Sequence, residues 1–392
     1  MLEGVLMSHL LTGPDAGDLL GVAVRPGRLL AWRARQVDQQ PGRGCTAAYD
    51  VRVRWPDGRD TDERLAACTG RIPAGAAVLD DGQERVGVWR YPHDPDLPAL
   101  ATAADETAVA ALLDGFDLGG GPVRLALRAY RPRRRAIIEA VGERGRLFLK
   151  VVRPDRVRRL HERHRMLVGA GVPAAPSLGH TPDGLLVLQA LPGRTLREAL
   201  RYGFPVLPPA SAVLALLDQL PAELARGRRR RSWAEKAPHY AAVVGAALPS
   251  SAEQAAAIAS AIRAEGGRGE IVPVHGDLYE AQLLVAGERV TGLLDIDTAG
   301  PGSASTTSPA CSATCTCSPT STRHGPQPST GSVPGTSARS SGWWTRRTCA
   351  TGSPRWCCRW RPARIAYRSR TGRPPPAAAS PSPSAGWPAH GP

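Results

Sequence analysis

The chain has 392 residues, 42% of them hydrophobic, and is long enough for two or three domains with buried cores. Its formal net charge is +15, but residues 303–392 hold eleven arginines and no lysine, aspartate or glutamate. The other 302 residues carry 39 basic against 35 acidic side chains, a net charge of +4. A nucleic-acid-binding protein needs its basic excess on one face of a folded domain, so we predict no specific nucleic-acid partner.

Cysteine usage and hydropathy indicate a cytoplasmic protein. The first residues lack the basic and apolar regions of a signal peptide, and no apolar run approaches the roughly 18 residues of a membrane span, so we expect no membrane partner. Six of the eight cysteines lie in residues 303–392. Among them Cys311, Cys315 and Cys317 lack the paired spacing of a zinc site.

Residues 1–105 alternate short apolar runs with turns rich in glycine, proline and aspartate, which predicts a β-rich N-terminal extension. Strands are expected at residues 29–35, 47–55 and 86–91. A linker then leads to a helix over residues 105–113, for which Asp105 is the predicted N-terminal cap.

Residues 106–190 have the pattern of a small lobe built on a sheet. Three strands of a meander are predicted at residues 123–130, 136–141 and 147–152. Pro154 then opens a helix that we expect to end near Gly169. A buried strand over residues 185–188 leads to a hinge at residues 189–193, where the backbone groups of Gln189 and Leu191 are candidates for binding an adenine edge.

Lys150, near the end of the third meander strand, is one of only two lysines beside 48 arginines. A compact ammonium suits a site that grips phosphates with a point charge, so Lys150 is a candidate phosphate ligand. Glu162 in the following helix is its candidate partner; the alternative is a solvated side chain among several arginines.

Residues 191–302 are expected to form a helical lobe. The helical patterns cover residues 210–226, 232–248 and 251–266. Short apolar runs that are typical of strands follow at residues 271–274, 283–285 and 293–294.

Polar residues stand at the ends of these last strands. Asp277 follows the first strand, Gln282 lies five positions later, and Asp295 lies eighteen positions after Asp277. Phosphoryl transfer from a nucleotide uses one carboxylate to orient the acceptor hydroxyl, and an amide oxygen with another carboxylate to hold Mg²⁺. The spacing therefore predicts a magnesium-dependent phosphotransferase site.

The segment His275-x-Asp277-x4-Gln282, followed by Asp295, resembles the catalytic and metal loops of aminoglycoside phosphotransferase-type kinases, which share a protein-kinase-like fold with choline kinases. The resemblance covers roughly residues 120–302. It implies an α+β, bilobal architecture with a β-rich N-lobe and a helical C-lobe. Residues 1–105 are weakly similar to the N-terminal cap of maltokinase-like members.

The resemblance also implies roles for individual residues. Asp277 would act as the catalytic base, with His275 bracing its loop. Gln282 and Asp295 would hold Mg²⁺, and Lys150 would bind the α- and β-phosphates. Asp297 is a further metal or water ligand, or a cap of the next turn. Gln282 departs from the family pattern, which has asparagine there.

Residues 303–392 contain no leucine and are rich in serine, threonine, proline and arginine, so they lack a periodic apolar face. They are predicted to be a disordered tail. A sharper hypothesis is a frameshift near Gly302, because one choice of mostly G/C third bases, read one base earlier, turns residues 306–318 into an amphipathic helix with an acidic start. The nucleotide sequence around codons 300–310 tests that hypothesis.

The resulting expectation is an ATP- or GTP-dependent enzyme that transfers the γ-phosphate to a hydroxyl of a small molecule, namely an aminoglycoside, a sugar or an amino alcohol. The alternative is an inactive or nucleotide-binding-only product of a frameshifted kinase-like gene. The sequence leaves the oligomeric state open.

Overall fold

The computed structural model describes residues 10–40, 43–227, 229, 231–265 and 270–303. These residues form an α+β protein whose sheets dominate the first half and whose helices dominate the second, which confirms the expected fold class. The predicted tail and the frameshift hypothesis fall outside the described residues, apart from Ser303. The domain boundaries expected near residues 105 and 190 stay predictions.

The N-terminal extension is a five-stranded antiparallel sheet in the order β1-β2-β3-β5-β4. Its strands are Arg28–Gln40 (β1), Gly44–Arg54 (β2), Asp60–Cys68 (β3), Ala77–Asp80 (β4) and Arg85–Arg90 (β5). Helix Ala16–Ala23 (α1) buries Leu20 in the same core as Tyr49, whose hydroxyl donates to the Leu11 carbonyl at 2.7 Å.

Strands β3 and β4 were not predicted from the sequence. The first half of β3 is charged and shows no apolar alternation, which hides it from a pattern search. Pairing with β2 explains why this segment is nonetheless a strand. Asp60 lies opposite Arg54 of β2 and accepts a hydrogen bond from its guanidinium at 2.7 Å. Such cross-strand pairs are recognisable only once the pairing is known.

The second sheet is also antiparallel, with five strands in the order β6-β7-β8-β10-β9. The strands are Arg124–Arg131 (β6), Arg135–Gly142 (β7), Gly145–Val152 (β8), Ser177–His180 (β9) and Leu185–Gln189 (β10). This confirms the predicted meander and the buried strand after it. One face packs on helices Leu100–Ala103 (α2) and Glu106–Asp114 (α3), and the predicted cap of α3 is confirmed because Asp105 accepts from the Ala108 N–H at 2.7 Å.

The helical part begins with the predicted helix Pro154–Gly169 (α4), which has proline at its first turn. Its buried face joins a core that also contains Leu196, Leu216 and Leu283. The later helices are Leu196–Arg201 (α5), Ala210–Asp218 (α6), Trp233–Ala247 (α7) and Ala252–Glu265 (α8). The single helix expected over residues 210–226 was wrong: α6 ends at Asp218, and a 3-10 turn, Ala222–Ala225, follows Pro221, because proline lacks the N–H that would continue the helix.

Two small sheets hold the loops that carry the predicted site. Ile271–Val274 (β12) pairs with Gly300–Ser303 (β15), and Arg194–Thr195 (β11) joins a sheet with the two strands Leu283–Ala286 (β13) and Arg289–Leu293 (β14). The segments before β13 and after β14 therefore come together. In the described part of the chain, no helix is both long and apolar enough to cross a membrane.

His164 on α4 is a buried histidine that must stay neutral in the folded protein. Its Nδ1–H donates to the Ala175 carbonyl at 2.7 Å, while Nε2 is buried and has no partner among the described residues. Burial lowers the pKa of His164 to about 4, since a proton on Nε2 would add a charge and an unsatisfied donor.

We expect the stability of the protein to fall as the solution is acidified. An unfolded histidine titrates near pH 6.5, so stability from neutral His164 is complete above that pH and is lost as the pH drops toward 4. Between about pH 7 and pH 5 this loss is about 2 kcal/mol. Urea unfolding at the two pH values measures it. His164→Asn, which keeps a donor for Ala175, should reduce the difference in unfolding free energy between the two pH values by about 2 kcal/mol relative to wild type, and an unchanged difference would contradict the assignment of this loss to His164.

Candidate active site

The loop after β12 is fastened to the loop after β14 by His275. Its Nε2–H donates to the Leu294 carbonyl at 2.8 Å, and its own carbonyl accepts from the Thr298 hydroxyl at 2.8 Å. The ring is buried, and burial lowers the pKa of His275, so the imidazole is neutral with its proton on Nε2. A neutral histidine in this position joins two loops without carrying charge.

Gly276 allows the two loops to approach closely. Its φ is +85°, and an added Cβ would meet the Thr298 carbonyl oxygen at 2.6 Å. A larger side chain is therefore excluded by both conformation and contact. The backbone that leads into Asp277 lies directly against residues 294–298 as a result.

Asp277 is half-buried, and its charge acts on Tyr240 of α7. Its charge, after the larger effect of burial, raises the pKa of Tyr240 on that helix. The ring of Tyr240 in turn stacks on Trp233, with centroids 5.5 Å apart. An aromatic pair that is still partly open to solvent therefore lies on the side of the site where Asp277 is found.

Asp295 has a left-handed backbone, with φ 55° and ψ 48°. Non-glycine residues adopt this conformation at a cost of roughly 1–3 kcal/mol, and they do so where the surroundings hold them in place. The holding contacts are on the side chain: Oδ1 accepts from Arg135 Nη1 at 2.6 Å and lies 3.5 Å from Lys150 Nζ, while Oδ2 lies 3.4 Å from Gln282 Nε2. The turn thus aims the carboxylate into a cluster of polar groups.

The charge of Asp295 is strongly stabilised. Burial by itself would raise its pKa, but Lys150 and Arg135 outweigh burial and lower the pKa of Asp295 to about 2. The pKa of Arg135 shifts in the opposite direction. Burial lowers the pKa of its guanidinium, whereas the hydrogen bond to Asp295 and the charge of Asp297 raise it, with a net increase.

Lys150 joins the second sheet to this loop. Its side chain is only 6% exposed and its ammonium forms a short contact with Asp297 Oδ1 in addition to the longer one with Asp295. Arg135 Nη1 also lies 3.6 Å from Asp297 Oδ2. Two carboxylates and two cations therefore form one compact cluster.

The cluster contains the oxygen donors that a hard divalent cation prefers. The carboxylates of Asp295 and Asp297 and the amide of Gln282 converge, and turning the amide by 180° directs its oxygen rather than its nitrogen toward Asp295. No group of three histidine, cysteine, aspartate or glutamate side chains in the described ranges is placed to hold a metal. The donor set that fits Mg²⁺ is hence two carboxylates and one amide.

The expected contact between Lys150 and Glu162 is not formed between the described side chains. Glu162 is 60% exposed and lies 4.0 Å from Arg158, because its position on α4 faces solvent. The next residue, Arg163, is buried and donates to the carbonyl of Asp297 at 2.8 Å. Arg163 lies three positions after the buried Leu160, so helical periodicity was the signal that could have identified it.

The predicted hinge follows β10 directly. The N–H of Gln189 donates to the Pro176 carbonyl at 2.9 Å, so this donor is already engaged. Leu191 is half-buried, and its side chain packs against the core of the helical part near Gly292. Binding of an adenine edge by Gln189 and Leu191 stays a prediction, and the Gln189 N–H is not the group for it.

The contrast between Arg163 and Glu162 gives a stability test. Arg163→Met removes charged hydrogen bonds to the backbone of Ile296 and Asp297 in the loop after β14, so we expect a loss of about 2–3 kcal/mol in unfolding free energy and weaker binding of magnesium nucleotide. Glu162→Gln should change stability by less than about 0.5 kcal/mol. Urea denaturation and calorimetry measure both. If Glu162→Gln loses nucleotide binding and Arg163→Met does not, then Glu162 rather than Arg163 supports the site.

The profile of the phosphotransferase enzyme family (APH) matches residues 133–306. No curated protein matches the chain.

Among solved structures, macrolide 2'-phosphotransferase MphH from Brachybacterium faecium is 24% identical over 50% of this chain and 73% of its own, with a TM-score of 0.35. A thermostable mutant of aminoglycoside phosphotransferase APH(4)-Ia, in complex with ADP and hygromycin B, is 16% identical over 49% and 71%, with a TM-score of 0.37. Plasmodium vivax ethanolamine kinase is 12% identical over 46% and 57%, with a TM-score of 0.30. The sequence profile confirms the resemblance expected from the motifs: over residues 133–306 this chain is similar to the phosphotransferase enzyme family.

Proposed function

We propose that this protein is a nucleotide-dependent phosphotransferase that moves a terminal phosphate onto a hydroxyl of a small molecule. The observation that carries the proposal is the cluster of Asp295, Asp297 and Lys150, with Gln282 beside it, tied by His275 to the loop that carries Asp277. This is the set of groups that phosphoryl transfer requires.

In this proposal each residue has a physical task. Asp277 orients the acceptor hydroxyl and accepts its proton as the oxygen attacks, a contribution of typically 10²–10⁴ in rate. Lys150 neutralises charge on the phosphates, and His275 keeps the loop of Asp277 against the metal loop. Asp295, Asp297 and Gln282 are the residues that would hold Mg²⁺, which when bound would neutralise negative charge on the phosphates.

The donor we propose is ATP or GTP, and the acceptor is an aminoglycoside, a sugar or an amino alcohol. Each of these acceptors carries at least one hydroxyl on a polar frame, which suits a site where the charge of Asp277 acts near the Trp233–Tyr240 pair. We propose a cytoplasmic location, where nucleoside triphosphates are available.

A second proposal is that the chain binds nucleotide without transferring phosphate. The change in composition at residue 303 favours it, and the family match ends only a few residues later, at 306. Under this alternative the residues described above are intact, whereas the sequence after them comes from another reading frame. Binding and transfer must therefore be measured separately.

Two variants separate the roles of the aspartates. We expect Asp277→Asn to bind Mg-ATP with near wild-type affinity in calorimetry but to lose roughly 10²–10⁴ in transfer rate, since only the proton acceptor is removed. Asp295→Ala should lose Mg-ATP binding, because it removes a ligand from the proposed metal site. Transfer is measured with ATP and a panel of aminoglycosides, sugars and amino alcohols.

Asp57→Asn is the matched control for these variants, because Asp57 lies in an exposed turn of the N-terminal sheet and pairs with Arg59. A wild-type protein that produces no heat with Mg-ATP would refute both proposals. Binding without transfer to any acceptor would leave the nucleotide-binding protein as the correct description.

A further inference from the structure

Arg135 is a cationic residue of the site that has no role in the phosphoryl transfer proposed above. It is the first residue of β7, directly after the turn of residues 131–134. Its guanidinium lies 2.6 Å from one oxygen of Asp295 and 3.6 Å from Asp297. Arg135 is not among the individual ligands predicted from the sequence.

The charges of the cluster balance without any bound ion. Arg135 and Lys150 together oppose Asp295 and Asp297, so two cations face two carboxylates. A divalent cation held by the same carboxylates would place positive charge close to the guanidinium, and like charges at this distance repel. A magnesium nucleotide also brings phosphate oxygens, which match the planar donor fork of an arginine better than any other anion except a carboxylate.

The two cations of the cluster differ in their freedom to move. Lys150 is 6% exposed and is enclosed between neighbouring strands, whereas Arg135 is 26% exposed. The guanidinium is therefore the more accessible of the two cations to an entering ligand. Arg135 can exchange partners by a change of side-chain rotamer alone, which is fast compared with backbone rearrangement.

The backbone before Arg135 is held by the N-terminal extension. Asp94 Oδ2 accepts from the Tyr130 hydroxyl at 2.9 Å and from the Arg133 N–H at 2.7 Å. Asp96 pairs with the Arg133 side chain at 2.7 Å. These contacts hold Tyr130 and Arg133, so the Cα of Arg135 has a defined place, and its side chain can change partner without a movement of the backbone.

We propose that Arg135 is a phosphate ligand that exchanges partners: it occupies an oxygen of Asp295 in the nucleotide-free protein and transfers to a phosphate of the nucleotide when Mg-nucleotide binds. The inference rests on the proposed function. It assigns Arg135 two opposite effects, competition with Mg²⁺ alone and attraction of Mg-nucleotide.

Because the expected changes in affinity for Mg²⁺ alone and for Mg-ATP have opposite signs, measuring both tests the proposal. Calorimetry is performed with MgCl₂ alone and with Mg-ATP on the full chain. Arg135→Met removes the cation but keeps an unbranched side chain. We expect Mg²⁺ alone to bind more tightly to this variant, by several-fold, because its competitor at Asp295 is gone. We expect Mg-ATP to bind about tenfold or more weakly, because the charged hydrogen bonds to phosphate are lost.

Arg134→Met is the matched control, since it is the same change one residue away. Arg134 is 53% exposed and lies 3.4 Å from Asp38, outside the cluster. Both affinities should stay within about twofold of wild type in this variant. Thermal melting of each variant reports whether it is folded.

The outcomes are distinct. If the affinities for Mg²⁺ and for Mg-ATP both fall in Arg135→Met, Arg135 only supports the structure and the proposal is wrong. If both rise, Arg135 only competes with Mg²⁺ at Asp295, and the proposal is also wrong. Should that variant fail to fold, Arg135→Lys keeps the charge and removes the fork, and an unchanged affinity for Mg-ATP would then overturn the proposal. A wild-type protein that binds no Mg-ATP refutes the proposed function instead.

Discussion

The site depends on the attraction between two carboxylates of the loop after β14 and two cations of the second sheet. Lys150 on β8 and Arg135 on β7 come from adjacent strands, while Asp295 and Asp297 come from the loop after β14. The groups are partly or largely buried, so the loss of one partner would leave an opposite charge poorly compensated. This attraction holds the loop against the sheet and keeps the unusual backbone of Asp295 in place.

The N-terminal extension contributes to the same region by an indirect route. Trp89 at the end of β5 donates to the Tyr130 hydroxyl at 3.0 Å, and that hydroxyl donates to Asp94. Asp94 is buried, and burial raises its pKa against the effect of its hydrogen bonds. The chain from Trp89 to Arg133 therefore connects the first sheet to the turn that precedes Arg135, which is a structural role for residues that carry no recognised motif.

Elements with strong local signals were predicted correctly. The helix over residues 154–169 has proline at its start and an amphipathic pattern, and the meander strands are short apolar runs between turns. Elements with tertiary causes were not. β3 is stabilised by pairs with its neighbour, and the helix expected to reach residue 226 ends at Asp218 because Pro221 outweighs the apolar periodicity around it.

The sequence by itself determined the spacing of Asp277, Gln282 and Asp295, because these residues flank the consecutive short strands β12, β13 and β14. The tertiary structure decided which cations face those carboxylates. Lys150 and Asp297 are 147 positions apart, and Arg135 and Asp295 are 160 apart. No local pattern selects Arg135 from five consecutive residues that include four arginines, or Arg163 instead of Glu162. The choice depends on which face of a strand or helix packs against a distant loop, and only the folded chain defines that face.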